Sequence, residues 1–191
     1  MGEMPRRVQW PSDLPALQGR GISLRPWEPG DAEVRLQASL DPDILKFTTV
    51  SECQSIEEAE AWIAERRLES QRGESAFFVI DAQGTAVGSM NLIAVDLHNE
   101  TAELGYWLLP SSRGSGYASE AITMLTQWTL GLGFKRLYLT TNLDNAGSQR
   151  LARNAGFGAE GVLRSYGYLR DGTREDVILF GLVAAGWEAS R

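Results

Sequence analysis

The residues Arg113-Gly114-Ser115-Gly116-Tyr117-Ala118 fall between an apolar run, Ala102 to Leu109, and a segment in which Ala118, Ala121, Ile122, Leu125, Trp128 and Leu132 recur at helical spacing. A strand, a glycine-rich turn and a helix start, in that order, leave several backbone N–H groups unpaired at the positive end of a helix dipole. Such a spot attracts an anion before any side chain takes part, and a phosphorylated ligand is the expected occupant. Two common nucleotide motifs do not fit it. A P-loop needs a lysine directly after its last glycine, and here Tyr117 follows Gly116. A dinucleotide fingerprint needs a third glycine where Ser119 stands, and it belongs early in a βαβ unit rather than midway along a chain.

The remaining inventory excludes whole classes of chemistry. Cys53 and His98 are each the single residue of their type, which leaves no disulfide framework and no zinc cluster within the chain. A formal net charge of -7 argues against a nucleic-acid surface, which needs a basic face, and suits a cationic acceptor instead. No apolar run approaches the roughly 18 residues of a membrane span. Pro5, Pro11 and Pro15 punctuate the segment where a signal peptide would need an apolar stretch, so a cytoplasmic protein is expected. With 191 residues, 43% of them hydrophobic, the chain can fill one core.

The elements that must position these residues read as an alternation of strands and helices. Residues 1–19 form an extended, proline-punctuated arm, and residues 20–191 a single domain. A strand at Ile22 to Trp27 precedes a short helix from Asp31 to about Leu40, and Ser55 with Glu58 forms a capping box for a second helix. Strands follow at Ala76 to Asp81 and Ala86 to Val95, joined by the turn Ala82-Gln83-Gly84-Thr85, and then at Ala102 to Leu109. After the helix that follows Gly116 come a strand at Arg136 to Thr141 and a helix from Asn145 to Ala155. Two last strands, Gly161 to Arg170 and Glu175 to Val183, meet in a hairpin at Arg170-Asp171-Gly172. The expected fold is α/β: one mixed sheet of about seven strands with helices on both faces. Gly105, in the middle of a strand, marks a bulge or a close backbone approach.

Arg113, Gly116 and Ala118 spell Arg-x-x-Gly-x-Ala, which resembles the pyrophosphate loop of the GCN5-related N-acetyltransferases. Ala102-Glu103-Leu104-Gly105-Tyr106-Trp107-Leu108 is similar to that family's fourth strand, and Asn145-Ala146-Gly147-Ser148 with Ala155-Gly156-Phe157 to its Asn-x-x-Ser and Gly-Phe signatures. Ile22-Ser23-Leu24-Arg25-Pro26-Trp27 resembles the first strand of the branch that acetylates ribosomal-protein N-termini. The likeness spans roughly Gly21 to Val183, with one departure: Arg153-Asn154 replaces the usual Glu-Lys pair.

The resemblance implies transfer of the acetyl group of acetyl-CoA directly to a primary amine, on a peptide N-terminus or a small molecule, with no metal and no covalent enzyme intermediate. It places the donor against Trp107, Leu108, Leu109, the turn Arg113 to Ala118 (Arg113, Gly114, Ser115, Gly116, Tyr117, Ala118), Asn142, Asn145 and Ser148. In the family a bulge near Gly105 opens a slot for the pantetheine arm, and an N–H near Trp107 or Leu108 serves as oxyanion donor. Glu103 occupies the position of a catalytic glutamate in several members, and Ser148 or a phenol, Tyr166 or Tyr168, is available as the acid. Simpler roles stand beside these. Glu103 also reads as an exposed strand carboxylate or an anchor for the substrate ammonium, and Asn145 and Ser148 as helix caps. The alternatives at the level of function are a non-catalytic CoA-binding module and an unrelated nucleotide-binding domain. No nucleic-acid or membrane partner is expected, and a homodimer is compatible with the pattern.

Overall fold

The computed structural model describes residues 8–170 and 172–185. The strands are β1 (Leu17–Gln18), β2 (Ser23–Pro26), β3 (Ala76–Ala82), β4 (Thr85–Asp96), β5 (Thr101–Leu108), β6 (Arg136–Asn142), β7 (Gly158–Tyr168) and β8 (Arg174–Val183). The helices are α1 (Ala32–Ala38), α2 (Pro42–Phe47), α3 (Ile56–Gln71), α4 (Tyr117–Gly131) and α5 (Ala146–Asn154). Among the described residues there is one mixed sheet of eight strands in the order β1-β2-β3-β4-β5-β6-β8-β7. The eighth strand is β1, whose two residues are too few to show a period.

Each face of the sheet carries its own core. On one side Leu24, Phe78, Met90, Leu92 and Leu104 pack with Ile122 and Leu125 of α4 and Ala152 of α5. On the other, Trp27, Val79 and Trp107 pack with Ala32, Ala38, Ala59 and Ile63 of α1 and α3. Strand alternation produces this division, since Leu104 and Trp107 of β5 differ in parity and so serve opposite faces.

The local signals hold closely. The turn between β3 and β4 has φ of 56° at Gln83 and 85° at Gly84, the pairing that a type I′ hairpin demands, and Asp81 Oδ1 accepts the Gly84 N–H at 2.7 Å. Ser55 Oγ accepts the Glu58 N–H at 3.2 Å, while the Glu58 carboxylate takes the Gln54 N–H at 2.8 Å, one residue earlier than a standard box. Asp171 lies outside the described residues, and the expected hairpin around it is flanked by Leu169 N–H to Thr173 O at 2.8 Å. Helix α2 answers to no expected element. Its start is nevertheless marked, by Asp41 capping Ile44 N–H at 2.7 Å and by Pro42 in the first turn. Six residues were too few for periodicity to reveal it.

A geometry for acyl transfer between β5 and β6

The centre of the sheet comes apart at one place. Strands β5 and β6 are parallel and pair only at Thr101, Ala102 and Glu103 with Arg136, Leu137 and Tyr138. Beyond that point β5 remains with β4 and β6 with β8, so a gap opens from Leu104 onward. The bulge expected at Gly105 is elsewhere: Gly105 pairs in register with Asn91, and the irregularity falls between Ile93 and Asp96 of β4, where Ala94 takes φ of 47°. A bulge sharpens local twist, and this one lies opposite Glu103, at the register where β5 and β6 part.

Register also assigns the amides that face the gap. Leu109 N–H donates to Val87 O at 2.9 Å, and the pairing from Gly88 and Leu108 back to Ile93 and Glu103 is unbroken. In an antiparallel ladder alternate residues point their amides to the same neighbour, so Trp107 and Gly105 direct theirs to β4. Those of Leu104, Tyr106 and Leu108 face the gap. The indole of Trp107 is core, 6% exposed and 6.1 Å from the ring of Trp27. Of the two residues offered as oxyanion donor, Leu108 therefore has the free amide.

A cavity of about 710 Å³ joins the gap to the α1–α3 face of the sheet, and Glu103 is part of its wall. Glu103 Oε1 accepts the hydroxyl of Thr140 on β6 at 3.0 Å. Burial lifts the Glu103 carboxyl above its ordinary range, and the Thr140 bond only partly opposes the lift. A carboxylate with one weak donor, pressed toward its neutral form, is a stronger base than one in water.

At one end the wall continues into α5. Asn145 Oδ1 accepts the Ser148 N–H at 3.0 Å, so it is indeed a cap, and Asn145, Gly147 and Ser148 all line the cavity. The Ser148 hydroxyl is hydrogen-bonded to the phenol of Tyr106, whose pKa is raised by burial in spite of that bond. Tyr106 thus keeps its proton at neutral pH, next to Ser148 and beside the gap. Tyr166 and Tyr168 are exposed on β7 and form no part of the cavity wall. Asn142 is likewise absent from the wall, and its side-chain amide donates to Glu175 of β8.

The glycine turn stands beyond this end. Gly114 and Gly116 have φ of 80° and 83°, a region that disfavours side chains, although a Cβ at either would touch nothing. Among the described residues the amides of residues 114–118 have no carbonyl partner, and the first capping bond of α4 runs from Ser119 N–H to Gly116 O at 3.0 Å. Backbone, rather than side chain, makes this anion site. Arg113 itself is engaged inside the protein: it bonds Asp43 at 2.8 Å, Asp41 at 2.6 Å and Leu108 O at 3.2 Å, clamping the turn to α2 and to the end of β5. Burial would raise the Asp41 carboxyl, but the Ile44 amide and Arg113 together hold it below the usual range.

The opposite end of the cavity is walled by Arg35 of α1, Trp62 and Arg66 of α3, Phe77 of β3 and Asn91 of β4. Sequence reasoning identified none of these, nor Tyr106 or Thr140 as polar groups of the site. Only Tyr106 carried a local signal, lying in the same strand motif as Glu103.

A family model described as acetyltransferase (GNAT) domain matches residues 22–158. The chain is 28% identical over 173 residues to an uncharacterized N-acetyltransferase, YoaA, of Bacillus subtilis (strain 168), covering 89% of this chain and 97% of that one. It is 32% identical over 114 residues to the ribosomal-protein-serine acetyltransferase of Escherichia coli (strain K12), covering 59% of this chain and 63% of the relative. Among solved structures, RimL, a ribosomal L7/L12 alpha-N-protein acetyltransferase in complex with coenzyme A, superposes with a TM-score of 0.82 at 24% identity, covering 88% of this chain and 98% of that one. No helix among the described residues is long and apolar enough to cross a membrane, and no cluster of His, Cys, Asp or Glu among them could hold a metal ion. The chain belongs to the GNAT acetyltransferases, resembling their RimJ/RimL-like branch, and is an N-acetyltransferase that draws its acetyl group from acetyl-CoA.

Proposed function

We propose that the acceptor is the α-amine of a peptide N-terminus or a small-molecule amine, and that Glu103 takes its proton. The observation that carries this reading is the Glu103 carboxyl, raised by burial and standing where β5 and β6 separate. Presenting an α-amine as the neutral nucleophile at pH 7 costs about 1.2 kcal/mol, against about 4.6 kcal/mol for a lysine ε-amine. A single moderate base meets the smaller cost, and Glu103 is the carboxylate at the gap.

Acetyl-CoA supplies an activated thioester carbonyl. Its diphosphate suits the unpaired amides of residues 114–118 at the start of α4, and the gap beside Leu104 to Leu108 suits an extended amide-bearing arm. The Leu108 N–H faces the gap and would steady the charge that a thioester oxygen gains there as the amine nitrogen bonds to the carbonyl carbon and the C–S bond breaks. Glu103 receives the proton leaving the nitrogen, with Thr140 holding the carboxylate in place. Ser148, backed by the protonated Tyr106, gives a proton to the departing sulfur. Tyr166, exposed on the edge strand, is set aside for this role.

The direct test is mass spectrometry of a peptide that contains both a free N-terminus and an internal lysine, after incubation with enzyme and acetyl-CoA. The acetyl group is expected on the N-terminal nitrogen. Exclusive modification of the lysine would overturn the α-amine reading and leave the donor end of the site untouched.

A further inference from the structure

Arg35 is 1% exposed, yet among the described residues no carboxylate pairs with it. Its Nη2 donates to the Ser51 carbonyl and hydroxyl, both at 2.9 Å, and its guanidinium lies 4.9 Å from the centre of the Trp62 ring. Among the described residues its Nε and Nη1, both buried, have no hydrogen-bond partner. An arginine cannot shed its charge as a buried lysine can, so a cation closed off from water with open donors calls for an anion to complete it. The nearby acids are engaged elsewhere: Glu65 and Glu69 with Arg66, at 2.9 Å and 2.7 Å, and Asp43 with Arg113 at 2.8 Å. Arg35 belongs to the wall of the same cavity as Glu103.

Its position is fixed from below. Arg25 holds both oxygens of Asp31, at 2.7 Å and 2.8 Å, and also Asp81 at 2.9 Å, which pins the start of α1 against β2 and β3. Arg35 is one turn further along α1. The segment that meets its Nη2, Thr48 to Ser51, lines the cavity and belongs to neither helix nor strand. Thr48 Oγ1 donates to Ile44 O at 2.6 Å and Arg170 donates to Val50 O at 2.5 Å, so an anion that reaches the buried guanidinium has to shift a segment held at both ends.

We infer that the acceptor carries a second, anionic group, a carboxylate or a phosphate monoester, which binds the unpaired Nε and Nη1 of the Arg35 guanidinium while the amine lies at Glu103. The inference rests on the amine-acetylating reading of this cavity and names its substrate class. Spacing along the sheet favours an anion set apart from the amine over the carboxylate of a free α-amino acid. Arg35 stacks over Trp62, Trp62 meets Phe77 edge-on at 5.5 Å, and Phe77 is two strands from Gly105 through Asn91. With strands about 4.8 Å apart and about 3.4 Å per residue, Phe77 and Glu103 are on the order of 12 Å apart at their Cα atoms. The anion is then several bonds from the amine, as in an acidic residue at the second to fourth position of a peptide, or the far end of an amino-alkyl acid. The chain's negative charge acts at longer range and is screened by salt, so it does not decide what binds beside Arg35.

The probes are N-terminally free, C-terminally amidated tetrapeptides differing at the third residue, alanine, aspartate or phosphoserine, together with pentylamine and 5-aminopentanoate. Wild type is expected to favour the acidic member of each set by roughly 10- to 100-fold in kcat/KM, chiefly through KM, the range of a charge-assisted bond. The aspartate and phosphoserine peptides tell a carboxylate site from a phosphate site. In Arg35→Gln the acidic-to-neutral ratio should fall toward one, and Arg35→Lys should keep part of it. Equal use of acidic and neutral acceptors by wild type, or an undiminished preference in Arg35→Gln, overturns the inference. The same preference should show without turnover, and without a variant that must fold, as greater thermal stabilisation of the CoA-bound wild type by the aspartate peptide than by the alanine peptide. Should 5-aminopentanoate be preferred over pentylamine while no peptide is acetylated, the peptide reading falls and the anion site stands.

Discussion

The two ends of the cavity are made of different material. The part proposed for the donor is backbone: the amides of residues 114–118 beyond the cavity, the amide of Leu108 and the unpaired edge of β5. The part proposed for the acceptor is side chains, Arg35 and Trp62 from α1 and α3 with Phe77 and Asn91 from β3 and β4. Backbone groups are the same whatever the sequence, so a site made from them needs only glycines and a turn in the right order and binds one constant ligand. A side-chain site can be rebuilt residue by residue without disturbing the sheet. On the proposed reading, this difference lets the donor site depend on chain order alone and the acceptor site on particular side chains. Glu103 stands at the seam.

Breaking the seam should have the largest effect. Glu103→Gln is expected to lower kcat by roughly 10²–10⁴ with acetyl-CoA affinity unchanged. Because burial raises the Glu103 carboxyl, the acid limb of the wild-type kcat/KM profile should lie above the ordinary glutamate value of about 4.3, and the variant should lose that limb. Stability should move the other way. A carboxyl whose folded pKa is raised binds its proton more tightly in the folded state, so ionised Glu103 costs stability as pH rises through the window above about 4.3. The glutamine variant should therefore melt at the same temperature or higher at pH 7, and a lower Tm would contradict the assigned cause of the shift.

The backbone end is tested by Gly116→Asp, which adds a like charge beside the diphosphate and forces a side chain into φ of 83°. Calorimetry should find CoA bound on the order of 100-fold more weakly, with a Tm lower by a few degrees. Retained affinity in a folded variant would show that the amides are not the anion site.

Ser148→Ala sharpens the comparison on the departing-thiol side. Its kcat is expected to fall roughly tenfold, less than a full general acid is worth, because Tyr106 remains beside the lost hydroxyl. Pairing it with Tyr106→Phe in a double-mutant cycle should give a strongly non-additive loss. Additive losses would mean that the two hydroxyls act separately.

The smallest effect belongs to Arg113→Met. The Arg113 side chain is 37% exposed, so its pairs with Asp41 and Asp43 are screened, and their loss should cost about 0.2–1 kcal/mol in denaturant unfolding. Asp41 then loses one of the groups holding it below the usual range, so the stability that wild type loses as pH falls below about 4 should shrink in the variant. A CoA affinity reduced as far as in Gly116→Asp would show that Arg113 reaches the donor after all.

Local features were legible wherever one short stretch of chain contains both the cause and its effect. The type I′ turn at Gln83-Gly84, the Ser55 cap and the glycine turn at residues 114–116 all belong to this class. The bulge was misplaced for a reason of the same kind. Gly105 advertises conformational freedom in the sequence but sits in register, whereas Ala94, with no such mark, takes the positive φ because its place in β4 is set by both neighbouring strands. Arg113 was read as a ligand of the donor because its spacing from Gly116 fits, and nothing in that spacing reveals that Asp41 and Asp43 would come to meet it.

The sequence by itself determined the order of the strands and helices other than β1 and α2, the glycine turn before α4 and the placing of Glu103 two residues from Gly105, since each follows from neighbours within a few residues. Tertiary structure alone decided that β5 and β6 part after Glu103, that Leu108 rather than Trp107 has its amide free, and that Tyr106 meets Ser148. It alone also brought Arg35 and Trp62 to the cavity of Glu103, across 68 and 41 positions of chain. Spacing along a chain carries information over one turn or one hairpin. Pairing register and the packing of helices on a sheet join residues far apart in sequence, and only there does a carboxylate acquire its burial or an arginine its missing partner.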